Sequence, residues 1–242
     1  MKIKPFIIHL ARATQRRSQV QKILTALGPN SEVIDAVDGM ALTQAELSSA
    51  YQPSLHAPHY PFQLRPGEIG CFLSHRAVWA ALLESDADAA LVLEDDVELT
   101  ADFNAALDLA QRHLGDIGYI QLQTRDYVGT TIDRQGSYSL IQPQITPLRT
   151  SGQLICRTAV KLLLDASAPF DRPVDTFLQM HWHTGLHLGV VSPACITDRT
   201  AETGGSTIGA SKPLFEKIQR EWKRTRYRSK VKHLSKSRSS SG

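Results

Sequence analysis

Three consecutive carboxylates, Glu94, Asp95 and Asp96, follow directly after an apolar run at 89–93. That run predicts a short buried strand, and open α/β sheets bind their ligands at the carboxyl ends of the strands. Adjacent carboxylates repel one another, and their oxygens suit a hard cation such as Mg²⁺ or Mn²⁺. Side chains alternate along an extended segment, so we expect Glu94 and Asp96 to share a metal–nucleotide while Asp95 braces the loop. A solvated acidic turn is the alternative.

A second polar group lies on a helix predicted over 66–84. Glu68, Cys71 and His75 are spaced i, i+3 and i+7, so they share one stripe of that helix, and Ser74 adjoins it. Such a stripe can line the same cleft as the carboxylates. The alternative is a capped helix with a buried, hydrogen-bonded histidine.

These two segments resemble motifs of glycosyltransferase family 25, the lipopolysaccharide and collagen galactosyltransferase group. They read LRPGEIGCFLSHRAVW at 64–79 and ALVLEDDVEL at 90–99, in the order and at the spacing of that family. FIIHLARATQRR at 6–17 and AVDG at 36–39 are similar to its first strand, its arginine-bearing helix and the following turn. The resemblance covers roughly residues 3–205.

The resemblance implies an α/β fold of the glycosyltransferase A type, a Rossmann-like sandwich with a mostly parallel central sheet and helices on both faces. It implies transfer of a hexose, galactose or glucose, from a UDP-sugar to a saccharide or glycolipid acceptor of lipopolysaccharide or lipooligosaccharide. The transfer would be an inverting single displacement. Asp96 and Glu94 would hold Mn²⁺ or Mg²⁺ against the diphosphate. The other residues expected at the nucleotide-sugar are Arg16, Arg17, Glu68, Ser74, His75 and Asp95. A surface position is the alternative for the two arginines.

An inverting displacement needs one general base on the face opposite the leaving group. Asp175 lies in RPVD at 172–175, which resembles a late block of the family, and it is the expected base. Its alternative role is a helix N-cap. Two further groups give weaker signals for a ligand site. The histidines at 181, 183 and 187 are either loop residues or the source of an additional metal ligand. The segment 204–207 is either a linker or a phosphate cradle.

The remaining pattern supplies the elements that position these groups. A strand–helix–strand beginning predicts a parallel sheet with helices on its faces. Strands are predicted at 3–10, 32–37, 89–93, 119–122, 137–141, 145–148 and 188–191, and helices at 14–27, 43–51, 66–84, 102–114, 157–166 and 174–181. The proline-rich loop at 52–66 and the region 124–150 are expected to shape the pocket that selects the donor sugar, the acceptor and the linkage.

Charge divides the chain into two parts. Residues 212–242 hold 11 Lys and Arg against 2 Asp and Glu, a net charge of +9, whereas residues 1–211 carry −6. We therefore expect a catalytic domain over 1–211 and a basic tail over 212–242, amphipathic at its start and disordered beyond. Such a tail suits an anionic membrane surface beside a glycolipid acceptor.

Composition narrows the function classes. With 42% apolar and 21% charged residues, global disorder is excluded, and no apolar run approaches a membrane span. Three cysteines without a CxxC pair argue against a disulfide framework and a structural zinc site. We expect a cytoplasmic protein without a signal peptide, peripheral on the inner membrane face and without a specific nucleic-acid partner. The alternative functions are a metal-dependent phosphohydrolase or nucleotidyltransferase, and a non-catalytic protein that binds through its tail.

Overall fold

The computed structural model describes residues 1–202 and 214–239, with side chains over 1–202 and 220–236. The strands are β1 (Ile3–His9), β2 (Glu32–Asp35), β3 (Ala89–Glu94), β4 (Val97–Leu99), β5 (Tyr119–Leu122), β6 (Thr130–Gln135), β7 (Tyr138–Gln142), β8 (Gly152–Cys156), β9 (Leu188–Ser192) and β10 (Ile196–Asp198). The helices are α1 (Arg17–Leu27), α2 (Gln44–Ala50), α3 (Pro66–Glu84), α4 (Phe103–Ile117), α5 (Arg157–Ala166), α6 (Val174–Leu178), α7 (His181–Thr184) and α8 (Leu214–Ser239). A short 3-10 turn at Thr14–Arg16 precedes α1.

An eight-stranded sheet has the order β2-β1-β3-β8-β5-β9-β7-β6, and β4 pairs with β10 separately. β1 is parallel to β2 and β3, and β5 is parallel to β9. β8 runs antiparallel to β3 and β5, and β7 runs antiparallel to β9 and β6. Six of the eight strands therefore point the same way. This confirms the predicted α/β fold, a mostly parallel central sheet surrounded by helices, as expected of the glycosyltransferase A type.

The chain reverses its direction of travel across the sheet at β1, which has β2 on one side and β3 on the other. A crevice forms at such a switch point, beyond the carboxyl ends of the strands, and it is the usual ligand site of open α/β sheets. β3 ends there at Glu94, after five fully buried residues. The predicted acidic segment therefore lies where the topology places a ligand.

Aromatic packing fixes α3 against the segment that leads into α6. The ring of Phe72 on α3 stacks on Phe170 at 3.9 Å and meets Phe177 edge-on at 5.3 Å. All three rings are buried. Burial of large aromatic rings dominates core energetics, so α3 and the 170–178 segment are held as one unit.

The strand predicted at 145–148 is wrong, and β8 takes its place in the sheet. Pro147 has no N–H to donate to a ladder, which weakens any strand through that segment. β8 is buried along its whole length between two central strands. A Cβ at Gly152 would lie 3.0 Å from the carbonyl oxygen of Leu122, so the close approach of β5 and β8 depends on that glycine.

Three further segments differ from the predicted elements or cannot be compared with them. The helix predicted over 174–181 divides into α6 and α7. β6 was not predicted, and its pairing with β7 shifts register between Thr131 and Asp133. The 204–207 segment lies outside the described residues.

The basic tail is helical along α8, and the prediction of a disordered Lys/Arg/Ser tail is wrong over that range. Tyr227, Val231 and Ser235 are buried, at a spacing of four residues that places them on one face. That face packs against the body of the protein, because α8 contacts α7. Within the described ranges, no helix combines the length and apolar character required to cross a bilayer.

Candidate active site

A cleft of about 640 Å³ opens at the carboxyl ends of β1, β2 and β3. It brings together most of the predicted site residues, which lie far apart in sequence. Those that line it are Glu68, Ser74, His75, Glu94, Asp95, Asp96 and Asp175. Arg17 does not belong to the lining, and this is a correction: it is exposed on α1, whereas its neighbour Arg16 is buried and borders the cleft.

Asp95 turns into the protein and is only 4% exposed. One carboxylate oxygen lies 2.7 Å from His9 Nδ1, and the other accepts a hydrogen bond of 2.5 Å from Arg16 Nη1. Both oxygens therefore have protein partners, although the residue borders the cleft. Asp95 braces the loop, as expected from strand alternation, and its predicted contact with the nucleotide is corrected to this supporting role.

Glu94 lies on the cleft side of the same strand end. Its Oε1 accepts from Thr150 Oγ1 at 3.1 Å and lies 3.4 Å from His75 Nε2. Gln153 Nε2 lies 2.9 Å from His75 Nδ1, so the imidazole is held between Gln153 on one side and Glu94 on the other. Burial raises the pKa of Glu94, but the hydrogen bonds from His75 and Thr150 outweigh it, and the net pKa lies below the ordinary value.

Asp96 is the second carboxylate on the cleft side. Its Oδ2 accepts from Thr200 Oγ1 and lies 3.1 Å from Arg16 Nη1. Burial and then the charge of Glu94 raise the pKa of Asp96 to about 6, against the opposing effect of Arg16. The single guanidinium of Arg16 thus does not fully compensate the adjacent carboxylates.

The lining of the cleft is acidic. Its three arginines all form ion pairs: Arg12 with Asp38 at 2.6 Å, Arg149 with Asp198 at 2.5 Å, and Arg16 with the acidic triplet. Its seven carboxylates are Asp38, Glu68, Glu94, Asp95, Asp96, Asp175 and Asp198. A diphosphate would meet net negative charge here, and a bound cation would offset that repulsion.

The donor atoms present fit a divalent ion. Glu94 and Asp96 offer carboxylate oxygens on the same side of a strand end, which is the ligand chemistry of Mg²⁺ and Mn²⁺. A softer set shares Glu94: single donor atoms of Cys71, His75 and Glu94 lie within 4.8 Å of one another. It is the one cluster of three potential ligands at that spacing within the described ranges.

Two predicted site residues of α3, Ser74 and Glu68, form hydrogen bonds with backbone groups around the cleft. Ser74 Oγ accepts from Val37 N at 2.8 Å and donates to the Gly70 carbonyl at 2.7 Å. Glu68 Oε2 accepts from the backbone N–H of Arg65 at 2.8 Å and caps the helix. The capped-helix alternative is thus correct for Glu68, which still borders the cleft.

Asp175 lies in the first turn of α6, whose N-cap is Pro173, so the N-cap alternative is wrong. Its Oδ1 accepts from Thr176 N at 2.6 Å, and its Oδ2 accepts from Arg149 N at 3.3 Å. The carboxylate is therefore oriented by backbone donors at the edge of the cleft. The histidines at 181, 183 and 187 lie outside the cleft lining, and the His183 ring packs 4.2 Å from His56.

Sequence reasoning missed several lining residues. Asp38 lies in the AVDG turn that the family resemblance singled out, but no role was given to it. Tyr60, Arg149, Thr150 and Thr200 come from irregular segments whose spacing carries no signal. They reach the cleft only through the tertiary fold.

Residues 2–178 match the family model described as Glycosyltransferase family 25 (LPS biosynthesis protein). The chain belongs to glycosyltransferase family 25. The match includes β3, α3 and the acidic triplet, so the residues that carried the resemblance lie within it.

Two curated relatives match most of this chain. Human procollagen galactosyltransferase 2 is 29% identical over 191 residues, which cover 74% of this chain and 30% of that protein. Mouse inactive glycosyltransferase 25 family member 3 is 31% identical over 187 residues, covering 72% of this chain and 31% of that protein. The chain thus spans about a third of the length of these family 25 relatives, one of which is named inactive.

Among solved structures, the family 25 chain is similar to a mutant Drosophila β-1,4-galactosyltransferase 7 in complex with manganese, UDP-Gal and xylobiose. The TM-score is 0.43 at 11% identity, covering 90% of this chain and 79% of that one. A likeness of this size carries no inference about function.

Proposed function

We propose that this chain transfers a hexose, galactose or glucose, from a UDP-sugar to a saccharide acceptor of lipopolysaccharide or lipooligosaccharide. One observation carries the proposal: Glu94 and Asp96 end a central strand at the switch point of the sheet, inside an acidic cleft. Membership of family 25 supports glycosyl transfer, and the family description supports a lipopolysaccharide acceptor. The galactosyltransferase name of one relative supports galactose.

Glu94 and Asp96 would hold Mn²⁺ or Mg²⁺ between the protein and the diphosphate. When bound, the cation would neutralise the charge that develops on the leaving diphosphate. His75 and Thr150 keep Glu94 oriented through hydrogen bonds. The hydrogen bond between Arg16 and Asp95 fixes the carboxyl end of β3, and this holds the Glu94 and Asp96 carboxylates in place.

Asp175 is our candidate for the general base of an inverting single displacement. The acceptor hydroxyl loses a proton as it attacks the sugar carbon, and a carboxylate at the cleft edge can take that proton. Hydrogen bonds from Thr176 and Arg149 orient the Asp175 carboxylate without a competing ion pair in its own contacts. No covalent nucleophile is needed in this scheme.

The outer face of α8 supports an anionic membrane surface as a further partner. Trp222 is 62% exposed there, and the guanidinium of Arg226 lies 5.6 Å from its ring. Exposed basic side chains on the helix are Lys223, Arg226, Arg228, Lys230, Lys232 and Lys236. A basic helix face with an aromatic residue suits anionic lipid, so we place the protein on the cytoplasmic face of a membrane.

Thermal unfolding with UDP-galactose and UDP-glucose, each with and without Mn²⁺, tests the proposal. We expect stabilisation that requires both nucleotide and metal, because binding to the native state raises the melting temperature. Product analysis with a core oligosaccharide then separates the alternatives. Release of UDP that requires the acceptor supports transfer, whereas equal cleavage without acceptor indicates a phosphohydrolase. No stabilisation by either nucleotide would contradict the proposal.

A further inference from the structure

The C-terminal helix is bound to the body through the hydroxyl of Tyr227. Its Oη accepts a hydrogen bond of 2.8 Å from Arg172 Nη1, and the Arg172 guanidinium lies 5.9 Å from the Tyr227 ring. The tyrosine is 7% exposed, although it belongs to the most basic part of the chain. A buried tyrosine hydroxyl normally finds such a partner, so this contact defines the docked position of α8.

Arg172 is part of a buried network that joins two distant loops. Its Nε donates to Asp171 Oδ1 at 2.6 Å, and its Nη2 donates to the His56 carbonyl at 2.8 Å. Asp171 Oδ2 in turn accepts from the backbone N–H of His56 at 2.9 Å. Because Arg172 and Asp171 are wholly buried, loss of one partner leaves an uncompensated charge. Tyr227 therefore completes a network that includes the start of the Asp175 segment.

The same tyrosine supports the loop that brings Tyr60 to the cleft. The Tyr60 ring meets the Tyr227 ring edge-on at 5.5 Å, and it meets Phe62 in the same way at the same distance. Arg220 of α8 lies 4.6 Å from the Phe62 ring. Tyr227, Arg220 and Arg224 of α8 thus pack on the loop that carries Tyr60.

Tyr60 is the one Phe, Tyr or Trp side chain in the cleft lining over the part of the chain that the structure describes. It borders the cleft together with Glu68 and Asp175, whose charges both act on it. The switch point between β1 and β3, where a nucleotide diphosphate is expected, is formed by other residues. A half-buried ring with an apolar body and a polar tip suits a sugar, which also has apolar and polar faces.

We propose that Tyr60 contacts the acceptor sugar and that Tyr227 of the docked C-terminal helix is the positioning residue that holds Tyr60 and the Asp175 segment in place. This inference rests on the proposed function for the identity of the acceptor. It assigns α8 to the wall of the acceptor half of the cleft, in addition to its outward basic face.

Hydrogen–deuterium exchange tests the positioning step without any assay of activity. Tyr227→Ala should raise exchange in segments 54–64 and 171–176, and Tyr227→Phe, which keeps the ring, should raise it less. Ser229→Ala, on the exposed face of the same helix, is the matched control and should leave both segments unchanged. Unchanged exchange in Tyr227→Ala would overturn the positioning role.

The acceptor role is tested with core oligosaccharide released from lipooligosaccharide by mild acid. Saturation-transfer NMR should detect its binding to the wild type, and Tyr60→Ala should weaken that binding about tenfold while Tyr60→Phe retains it. In turnover assays, Tyr60→Ala and Tyr227→Ala should raise the acceptor KM and leave the UDP-sugar KM unchanged. No binding to the wild type, or equal binding to Tyr60→Ala, would refute the acceptor role, as would an effect confined to UDP-sugar. Absence of turnover with every nucleotide sugar would instead refute the proposed function.

Discussion

Gly39 lies so close to Pro66 that a Cβ on Gly39 would be 1.7 Å from the Pro66 carbonyl oxygen. The turn after β2 and the first turn of α3 are thus in direct backbone contact. Ser74, which accepts from Val37 N, holds the same junction about two helical turns further along α3. Both segments line the cleft, so their contact helps to determine the shape of the cleft.

Gly39→Ala should destabilise the protein on the order of 1–3 kcal/mol, because the added methyl group forces the two backbone segments apart. Chemical denaturation of the purified variant measures this change. Gly115→Ala is the control: it lies inside α4 with open space around it and should stabilise by about 0.5–1 kcal/mol. Equal stability of Gly39→Ala and wild type would show that the junction can relax.

Asp96→Asn should abolish the Mn²⁺-dependent stabilisation by UDP-sugar, since it removes one of the two charged oxygen ligands. Without metal the same variant should melt above the wild type, because one of three adjacent carboxylates has lost its charge. Differential scanning fluorimetry measures both effects. Asp108→Asn, on the exposed side of α4, controls for a general change of charge. A full metal-dependent shift in Asp96→Asn would place the cation elsewhere.

Asp175→Asn should lower kcat by about 10²–10⁴-fold, the usual contribution of a general base. UDP-sugar binding and melting temperature should stay near wild type, because asparagine keeps an oxygen for the hydrogen bonds from Thr176 or Arg149. Asp165→Asn, exposed on α5, is the comparison. Near-normal turnover of Asp175→Asn would assign the proton transfer to another group.

The contribution of His56 to stability should fall as pH drops below about 6.5, whereas Asp96, whose pKa is raised to about 6, acts in the opposite direction. Burial and the nearby His183 lower the pKa of His56 from its ordinary value of 6.5, against the opposing charge of Asp171. Below that value the unfolded chain binds a proton that the folded chain resists, so unfolding is favoured. Melting curves of the wild type and of His56→Asn from pH 7.5 to 5 measure this contribution: the wild type should lose stability relative to the variant as pH falls, because Asp96 is common to both proteins. An identical slope in the variant would point to another group.

A second loss of stability is expected at lower pH from Asp171. Burial raises the pKa of this carboxyl, but the hydrogen bonds from Arg172 and the His56 N–H outweigh it and keep the pKa below 3.8. Its stabilising effect is complete above the ordinary value and is lost as pH falls through the folded-state pKa. Release of α8 should accompany this step, because Tyr227 is bound to the same network.

Charge reversal on the outer face of α8 tests the proposed membrane surface. Lys223→Glu with Lys230→Glu should weaken binding to phosphatidylserine-containing vesicles by about 1 kcal/mol or more per site. Vesicle sedimentation measures the loss, which should shrink at high salt. Lys161→Glu, exposed on α5, is the control. Unchanged sedimentation of the double variant would remove the membrane from the proposal.

Continuous apolar runs and glycine- or proline-marked boundaries made the central elements predictable. β3, β5 and α3 follow the expected bounds because each is buried by its own local pattern. β8 was missed because an antiparallel strand inserted between β3 and β5 is set by tertiary pairing. A five-residue buried segment shows no alternation that could reveal it.

The site residues that belong to a sequence motif were predicted correctly as lining the cleft, whereas those outside the motifs were predicted only in part. The acidic triplet and the α3 stripe reach one cleft, as expected, and of the two candidate arginines Arg16 borders the cleft whereas Arg17 does not. The burial of Tyr227 against the body was not predicted, because its neighbours in sequence are basic and indicated a membrane surface for it. The buried positions 227, 231 and 235 are separated by lysines and arginines that mask their spacing.

The register shift in β6 has a consequence for self-association. β6 is an outer strand of the sheet, and the break between Thr131 and Asp133 interrupts the regular row of backbone groups that an incoming strand would need. At the opposite margin, β2 begins and ends with Glu32 and Asp35. Irregular pairing at one margin and like charges at the other oppose strand addition by a second molecule, which protects the sheet from growth into aggregates.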